Sequence, residues 1–167
     1  MKKLTIVSFL IFITIIKADN EQKSNAPEGS NTIIVTTTDD ATTAFRNIGR
    51  LLTSEGFEIQ TSDINLMQLT TKHKKETYGF LGGKKYYLAL IVQIDEIDKK
   101  AIITIKGTSD LYAVTAEIQK YAGGGIRERS SEDLRKVVSG KLDKEFERMF
   151  QIAIKIKNQN KIEYKVE

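Results

Sequence analysis

The chain lacks cysteine altogether and has one histidine and one proline among its 167 residues. Without cysteine it forms no disulfides, offers no thiolate ligand to a metal and has no thiol nucleophile. The same absence excludes the lipid-modified cysteine at which exported lipoproteins are anchored to membranes. An exported domain of this composition is held together by its apolar core alone.

Recognisable catalytic motifs are missing as well. Neither the G-x-S-x-G motif of serine hydrolases nor the H-E-x-x-H motif of metalloproteases occurs in the sequence. The sole histidine, His73, stands among lysines, whose charges disfavour the protonated imidazole. The acidic run Asp95–Asp98 lacks the glycine-bearing loop typical of a cation site. We therefore predict no catalytic residue, no metal ligand and no cofactor.

The N-terminus has the three-part pattern of an export signal. Lys2 and Lys3 precede the uncharged run Leu4–Ile16, and Ala18 is a candidate cleavage residue. At roughly 1.5 Å per residue this run spans about 20 Å as a helix, less than the ~30 Å hydrocarbon core. We predict a signal peptide over residues 1–18 and no membrane span after cleavage. Ile16 departs from the small-x-small cleavage pattern, so an uncleaved N-terminal anchor is the alternative to a periplasmic or secreted protein.

The positive charge of the chain depends on this segment. The predicted signal contains three of the 26 Lys and Arg residues and none of the 22 Asp and Glu residues, so cleavage lowers the net charge from +4 to +1. Long-range attraction of a polyanion requires a net or clustered positive field. The composition therefore gives no support to nucleic-acid binding.

The rest of the chain reads as one domain with a short segment at each end. Residues 19–31 are polar and predict a flexible leader. Residues 32–157 predict a single α+β domain, and residues 158–167 a C-terminal tail or edge strand. The β-branched run Thr32–Thr38 begins the domain as a strand.

A capped amphipathic helix follows this strand. Asp39 or Asp40 is the predicted N-cap, and Gly56 supplies the left-handed residue after the last turn. The apolar residues between them recur at three- and four-residue spacing and form one stripe: Ala41, Ala44, Phe45, Ile48, Leu51 and Leu52.

Alternating segments then predict an antiparallel meander. The predicted strands cover residues 57–61, 66–72, 85–97 and 101–107. Residues 111–122 fit either a further strand or a short helix. A long helix is predicted from Ser130 or Ser131 to Ala153. The predicted fold is α+β, a four- to five-stranded antiparallel sheet with two helices on one face, in the order β-α-β-β-β-β-α.

Two segments are candidate binding sites. The first interleaves cations with aromatic rings, a mixture that stacks on bases or sugars and pairs with anionic groups. We take the segment between the predicted strands 66–72 and 85–97 to be a basic loop. The candidate residues in this loop and at the adjoining strand ends are Lys72, Lys74, Lys75, Tyr78, Lys84, Lys85 and Tyr86. The alternative is a solvated loop with one tyrosine turned into the core.

The second candidate pairs Arg127 and Arg129 with the glycines at 123–125, ahead of a predicted helix N-terminus. Such a terminus attracts a phosphate or carboxylate. The alternative is a loose linker between two elements.

The stretch Ile33–Thr71 has the pattern of a known group of proteins. The pattern consists of a strand, a capped helix with Leu51 and Leu52, and the segments Gly56–Ile59, Ser62–Asp63 and Leu69–Thr71. It resembles small exported bacterial envelope proteins of unknown function with a TATA-binding-protein-like (helix-grip) fold. It is also similar to the repeated domain in the lipoprotein accessory subunit of outer-membrane barrel assembly. The resemblance implies a curved sheet gripped by helices and an interaction role, without implying DNA binding.

These observations favour a non-catalytic binding module of the cell envelope or periplasm. Its expected partner is an envelope protein, a lipid headgroup or an anionic polysaccharide. The alternative is a small hydrolase or transferase acting on cell-wall material through a site without a recognisable motif, which a cleft with convergent acid and base groups would favour. A structural protein without a ligand is a third interpretation.

Overall fold

The computed structural model describes residues 24–78, 84–110, 134–137, 139 and 143–166. These residues form eight strands and two helices. In chain order the elements are β1 (Thr32–Thr37), α1 (Ala41–Ser54), β2 (Ile59–Asp63), β3 (Gln68–Thr71), β4 (Lys74–Tyr78), β5 (Lys84–Ile97), β6 (Lys100–Asp110), β7 (Leu134–Lys136), α2 (Asp143–Ala153) and β8 (Gln159–Lys165).

All eight strands belong to one antiparallel sheet. Its main path is β2-β3-β5-β6-β1-β8, while β4 pairs with β5 and β7 pairs with β6 beside this path. The α+β class and the antiparallel sheet predicted from the sequence are confirmed. The strand number differs from the predicted four or five, because β4, β7 and β8 join the sheet.

The core lies between one face of the sheet and the two helices. Alternate residues of β1, β5 and β6 point to this face and are buried, and α1 and α2 both contact it. The innermost side chains are Ile33, Val35, Leu88, Leu90, Val92, Ile94, Ile103, Ile105, Ile48, Leu52, Phe146 and Met149. Burial of this one face is what the alternating apolar pattern of the strands predicts.

Helix α1 confirms the sequence prediction closely. The Asp40 carboxylate accepts a hydrogen bond from the Thr43 backbone N–H at 2.9 Å, which lowers the pKa of Asp40. Glu96, at the acidic end of β5, accepts a second one from the Ala41 N–H at 2.9 Å. The first turn of a helix has unpaired N–H groups, so these two carboxylates stabilise its start. Gly56 has a φ of 80° just beyond the C-terminus.

The predicted second helix is shorter than expected. Residues Leu134–Lys136 form β7, which pairs with Thr108–Asp110 of β6, and α2 begins only at Asp143. Val137, Val138 and Gly140 follow β7 in the sequence and are poor helix formers. Tertiary pairing with β6 therefore overrides the helical spacing of the apolar residues. The segment predicted as strand or helix, residues 111–122, lies outside the described residues, as does the predicted signal peptide, residues 1–18.

The two ends of the described chain run close together. Ser30 and Asn31, which belong to the predicted leader, are buried, and the Asn31 N–H donates to the carbonyl of Lys165 at 3.0 Å. The Ser139 N–H donates to the Ser30 carbonyl at 2.8 Å. Strand β8 pairs along β1 at the sheet edge. None of the helices among the described residues is long and apolar enough to cross a membrane.

Gly49 lies in the middle of α1, where glycine costs backbone entropy. A Cβ at this position would lie 3.8 Å from Leu69 Cδ1, an ordinary contact. Gly49→Ala is therefore expected to raise the free energy of unfolding by about 0.5–1 kcal/mol, measured by urea denaturation. Gly56→Ala is the matched control. Gly56 has a φ of 80°, and a Cβ there would lie 3.3 Å from Lys74 Nζ, so this substitution is expected to lower the free energy of unfolding by about 1–2 kcal/mol. A destabilised Gly49→Ala variant would contradict the packing of α1 described above.

Candidate functional site: cationic grooves beside helix α1

The predicted basic and aromatic loop is largely a β-hairpin. Residues Lys74–Tyr78 form β4 and pair with the first residues of β5, from Lys84 to Leu88. The interpretation of this segment as a loop is therefore wrong for residues 74–78. Only residues 79–83 remain between the two strands, and they lie outside the described residues.

The hairpin divides the candidate residues between the two faces of the sheet. Lys74 and Tyr86 share a face with the buried Leu88, and Tyr86 is only 9% exposed. Lys75 and Tyr87 are opposite each other on the other face, where Lys75 Nζ lies 6.0 Å from the Tyr87 ring centroid. Successive residues of a strand point to opposite faces, so this segment does not form one surface.

The remaining candidates occupy other places. Lys72 is exposed and pairs with the exposed Glu58. Tyr78 stands opposite Lys84, and Thr77 opposite Lys85, at the far end of the hairpin. Arg127 and Arg129 lie outside the described residues.

Lys74 belongs to a network of charges that ties β4 to both helices. Its Nζ donates to the Glu55 carbonyl at 2.6 Å and to Glu76 Oε1 at 2.7 Å, and it lies 5.1 Å from the centroid of the Phe57 ring. Arg148 of α2 lies 5.9 Å from the same centroid. Both cations thus pack against one aromatic ring, a favourable arrangement when the ring is buried.

Arg148 joins the two carboxylates of this network. Its Nη2 lies 3.1 Å from Glu55 Oε2 and its Nε lies 3.1 Å from Glu76 Oε1. Lys155 Nζ completes the network at 2.9 Å from Glu55 Oε1. Burial raises the pKa of Glu55, but the hydrogen bonds from Lys155 and Arg148 outweigh it and hold the pKa below its usual value. The network contains three cations and two carboxylates, and every one of them has an oppositely charged partner, which assigns them a structural role.

Two grooves lie on either side of α1. The α1–tail groove, between α1 and the segment after α2, has a volume of about 270 Å³. The α1–β2 groove, between α1 and strands β2 and β3, is wider and more open, with a volume of about 670 Å³. The α1–tail groove is lined by Asn47, Ile48, Arg50, Leu51, Ser54, Lys155, Ile156 and Lys157, and the α1–β2 groove by Phe45, Arg46, Gly49, Arg50, Thr53, Ser54, Ile59, Ser62 and Leu69.

Positive charge is concentrated along these grooves. Arg46 and Arg50 lie one turn apart on α1, and Arg50 borders both grooves, while Lys157 lies across the α1–tail groove. All three side chains are exposed. Among the described residues, no carboxylate lies within 4.0 Å of any of them, in contrast to Lys155. We call Arg46, Arg50 and Lys157 the α1 cations.

A buried carboxylate occurs elsewhere, at the start of α2. Glu145 is 7% exposed, and Oγ of the buried Ser109 lies 3.4 Å from its Oε1. A carboxylate in the first turn of a helix is favoured by the unpaired N–H groups there. His73 is half-buried between β3 and β4. In the part of the chain that the structure describes, no three His, Cys, Asp or Glu side chains are grouped to hold a metal ion.

Sequence reasoning missed the α1 cations. The candidate residues were chosen where charges are densely clustered in the sequence, whereas Arg46 and Arg50 are separated by one helical turn. The signal that points to them is Gly49 between two arginines, inside a helix that is otherwise strongly capped and amphipathic. A glycine has no Cβ, so it leaves open space beside the helix. Comparison of the sequence with known protein families and with curated proteins finds no match, so the interpretation of this site rests on its own geometry.

Proposed function

We propose that the protein is an exported, non-catalytic binding module of the cell envelope or periplasm that binds an acidic surface of a partner protein through the α1 cations. The observation that carries the proposal is the placement of Arg46, Arg50 and Lys157 beside two grooves, without a carboxylate partner among the described residues. A guanidinium presents a planar set of donors that matches a carboxylate, so exposed arginines of this kind suit acidic partners.

The rest of the molecule supports a local rather than a global attraction. After loss of residues 1–18 the net charge is only +1, so the charge that steers a partner is confined to patches. The export signal, Lys2 and Lys3 followed by Leu4–Ile16, is the basis for placing the protein in the envelope or periplasm. We also propose that the α+β architecture is of the TATA-binding-protein-like (helix-grip) kind seen in small envelope proteins. The order of elements and the apolar pattern in Ile33–Thr71 support this proposal.

Two variants that remove equal charge test this function. The full chain is expressed, purified and immobilised, and the retention of proteins from an envelope extract is compared with that of two triple variants. The α1 variant carries Arg46→Ala, Arg50→Ala and Lys157→Ala. The hairpin variant carries Lys72→Ala, Lys75→Ala and Lys85→Ala.

The α1 variant is expected to bind its partner about tenfold or more weakly, since three charge pairs contribute roughly 1–3 kcal/mol together. The hairpin variant is expected to bind like the wild type. Equal loss in both variants would show non-specific charge attraction, and loss in the hairpin variant alone would move the site to the hairpin. Binding of the wild type to anionic lipid vesicles or to an anionic polysaccharide, with no retained protein, would also overturn the proposal.

A further inference from the structure

Strand β2 leaves one edge of the sheet open within the described residues. It stands at the end of the strand order and pairs there only with β3. The Lys72 N–H donates to the Glu58 carbonyl at 2.9 Å. Antiparallel strands alternate between residues that bond to the partner and residues that face away, so the backbone N–H and C=O of Ile59 face the open side.

This edge carries less charge than its counterpart. Strand β8, at the other end of the sheet, has charged side chains at Lys161, Glu163 and Lys165. The exposed residues of β2, Gln60, Thr61 and Ser62, are uncharged. Edge strands are commonly protected by lysines that prevent the addition of another strand. Strand β2 is short and has a bulge after Ile59, which limit its pairing, but it has no lysine and no proline. Its one charged side chain, Asp63, is half-buried and accepts hydrogen bonds from the Asn65 and Leu66 N–H groups. The strand edge can therefore still accept an added strand.

The α1–β2 groove lies directly beside this edge. Its apolar floor is formed by Phe45, Ile59 and Leu69. Gly49 keeps the middle of the groove open: an added Cβ would meet nothing within 4 Å except Leu69 Cδ1 at 3.8 Å. The groove therefore has space for an apolar side chain above the glycine.

The helical wall of the groove is cationic. Arg46 and Arg50 stand on either side of Gly49, and no carboxylate of the described chain lies within 4.0 Å of them. An open strand edge recognises backbone, a groove recognises alternate side chains, and arginines recognise carboxylates. These three elements together specify an extended, acidic peptide.

We infer that the α1–β2 groove binds an extended peptide segment of a partner protein, which adds to the edge of β2, places an apolar side chain over Gly49 and pairs acidic side chains with Arg46 and Arg50. This inference rests on the proposed function and names the form of the partner. Because side chains of a strand alternate, every second residue of the peptide faces the groove.

A synthetic peptide array tests the inference with the full-length protein. Each peptide has seven residues with threonine at the odd positions, and the three even positions are varied among leucine, glutamate and lysine. The peptide Thr-Glu-Thr-Leu-Thr-Glu-Thr is expected to be among the tightest binders, and peptides with lysine in place of glutamate are expected not to bind. Arg46→Ala with Arg50→Ala is expected to weaken the best peptide about tenfold, equivalent to about 1.4 kcal/mol.

The groove and the strand edge are tested separately. Gly49→Leu fills the groove and is expected to weaken binding more than about tenfold. Thr42→Leu adds bulk to the same helix outside the lining of both grooves and is expected to retain binding within about threefold. Thermal melting establishes that both variants fold. The best peptide is also made with N-methyl groups on one or the other alternate set of backbone amides. One methylated form is expected to lose binding and the other to retain it, because only one set faces β2.

Three results would overturn the inference: no binding by any peptide of the array, equal binding by Gly49→Leu and wild type, or equal binding by both methylated forms. If these occur while the α1 variant still loses its retained partner, the proposed function stands and the peptide mode of binding is wrong. If the α1 variant also retains its partner, both are wrong.

Discussion

Replacing Gly107 with alanine is expected to lower the free energy of unfolding by about 2–3 kcal/mol, through overpacking of the core. Gly107 lies on the buried face of β6, at the point where α2 crosses the sheet. A Cβ there would lie 2.6 Å from Met149 Sδ and 3.1 Å from both Leu88 Cδ1 and Val137 Cγ2. Side chains from three separate segments of the core would have to shift to accept a single methyl group.

Urea denaturation measures this loss, and a double-mutant cycle assigns its cause. Met149→Ala alone is expected to cost about 2–3 kcal/mol through the cavity it leaves. In the double variant the new methyl group occupies part of that cavity, so the total loss is expected to be smaller than the sum of the two. Thr104→Ala, on the opposite face of the same strand, serves as the control and is expected to cost less than about 1 kcal/mol. Additive losses would contradict a direct contact between position 107 and α2.

Arg148→Ala is expected to destabilise the protein by about 2–3 kcal/mol, since it removes the shared partner of two largely buried carboxylates. The side chains of Glu55 and Glu76 are only 17% and 19% exposed. Lys155 and Lys74 remain as partners after the substitution, which limits the loss. Lys161→Ala is the matched control, because its pair with Glu163 is exposed and is expected to contribute less than about 1 kcal/mol.

The pH dependence distinguishes loss of the ion pairs from loss of packing. The pKa of Glu55 is lower in the folded protein than its usual 4.5, so its stabilising contribution is present above that value and disappears as the pH falls through the folded pKa. The difference in unfolding free energy between wild type and Arg148→Ala is therefore expected to shrink as the pH falls below 4.5 and through the folded-state pKa of Glu55. A difference that is constant from pH 7 to pH 3 would assign the effect to lost contacts with Phe57.

Helix α1 shows what could be predicted from sequence in this fold. Its cap, its apolar stripe and its terminating glycine lie within about 17 consecutive residues, and each acts on neighbours along the chain. The same applies to β5 and β6, whose runs of apolar and β-branched residues are long. Strand β4 was missed because Lys74, Lys75 and Glu76 are poor strand formers on their own. They form a strand because β5 offers a paired backbone.

The candidate site shows the limit of the same reasoning. The hairpin cations form a dense cluster in the sequence, but alternation along β4 sends Lys74 and Lys75 to opposite faces. Lys74 is then held by Glu55 and Glu76. Arg46 and Arg50 were not predicted as binding residues, because the groove they border exists only when β2 packs beside α1 and forms its other wall.

The sequence by itself determined the α+β class, the antiparallel meander, and helix α1 with an aspartate cap at position 39 or 40, because these follow from the local periodicity of apolar residues and from backbone preferences. The signal peptide is also a property of local composition, and it stays a prediction. Only the tertiary structure decided that Leu134–Lys136 is a strand, that Arg148 joins Glu55 across 93 residues of chain, and that two grooves border α1. These features depend on partners distant in sequence, whose pairing free energy exceeds the local preferences.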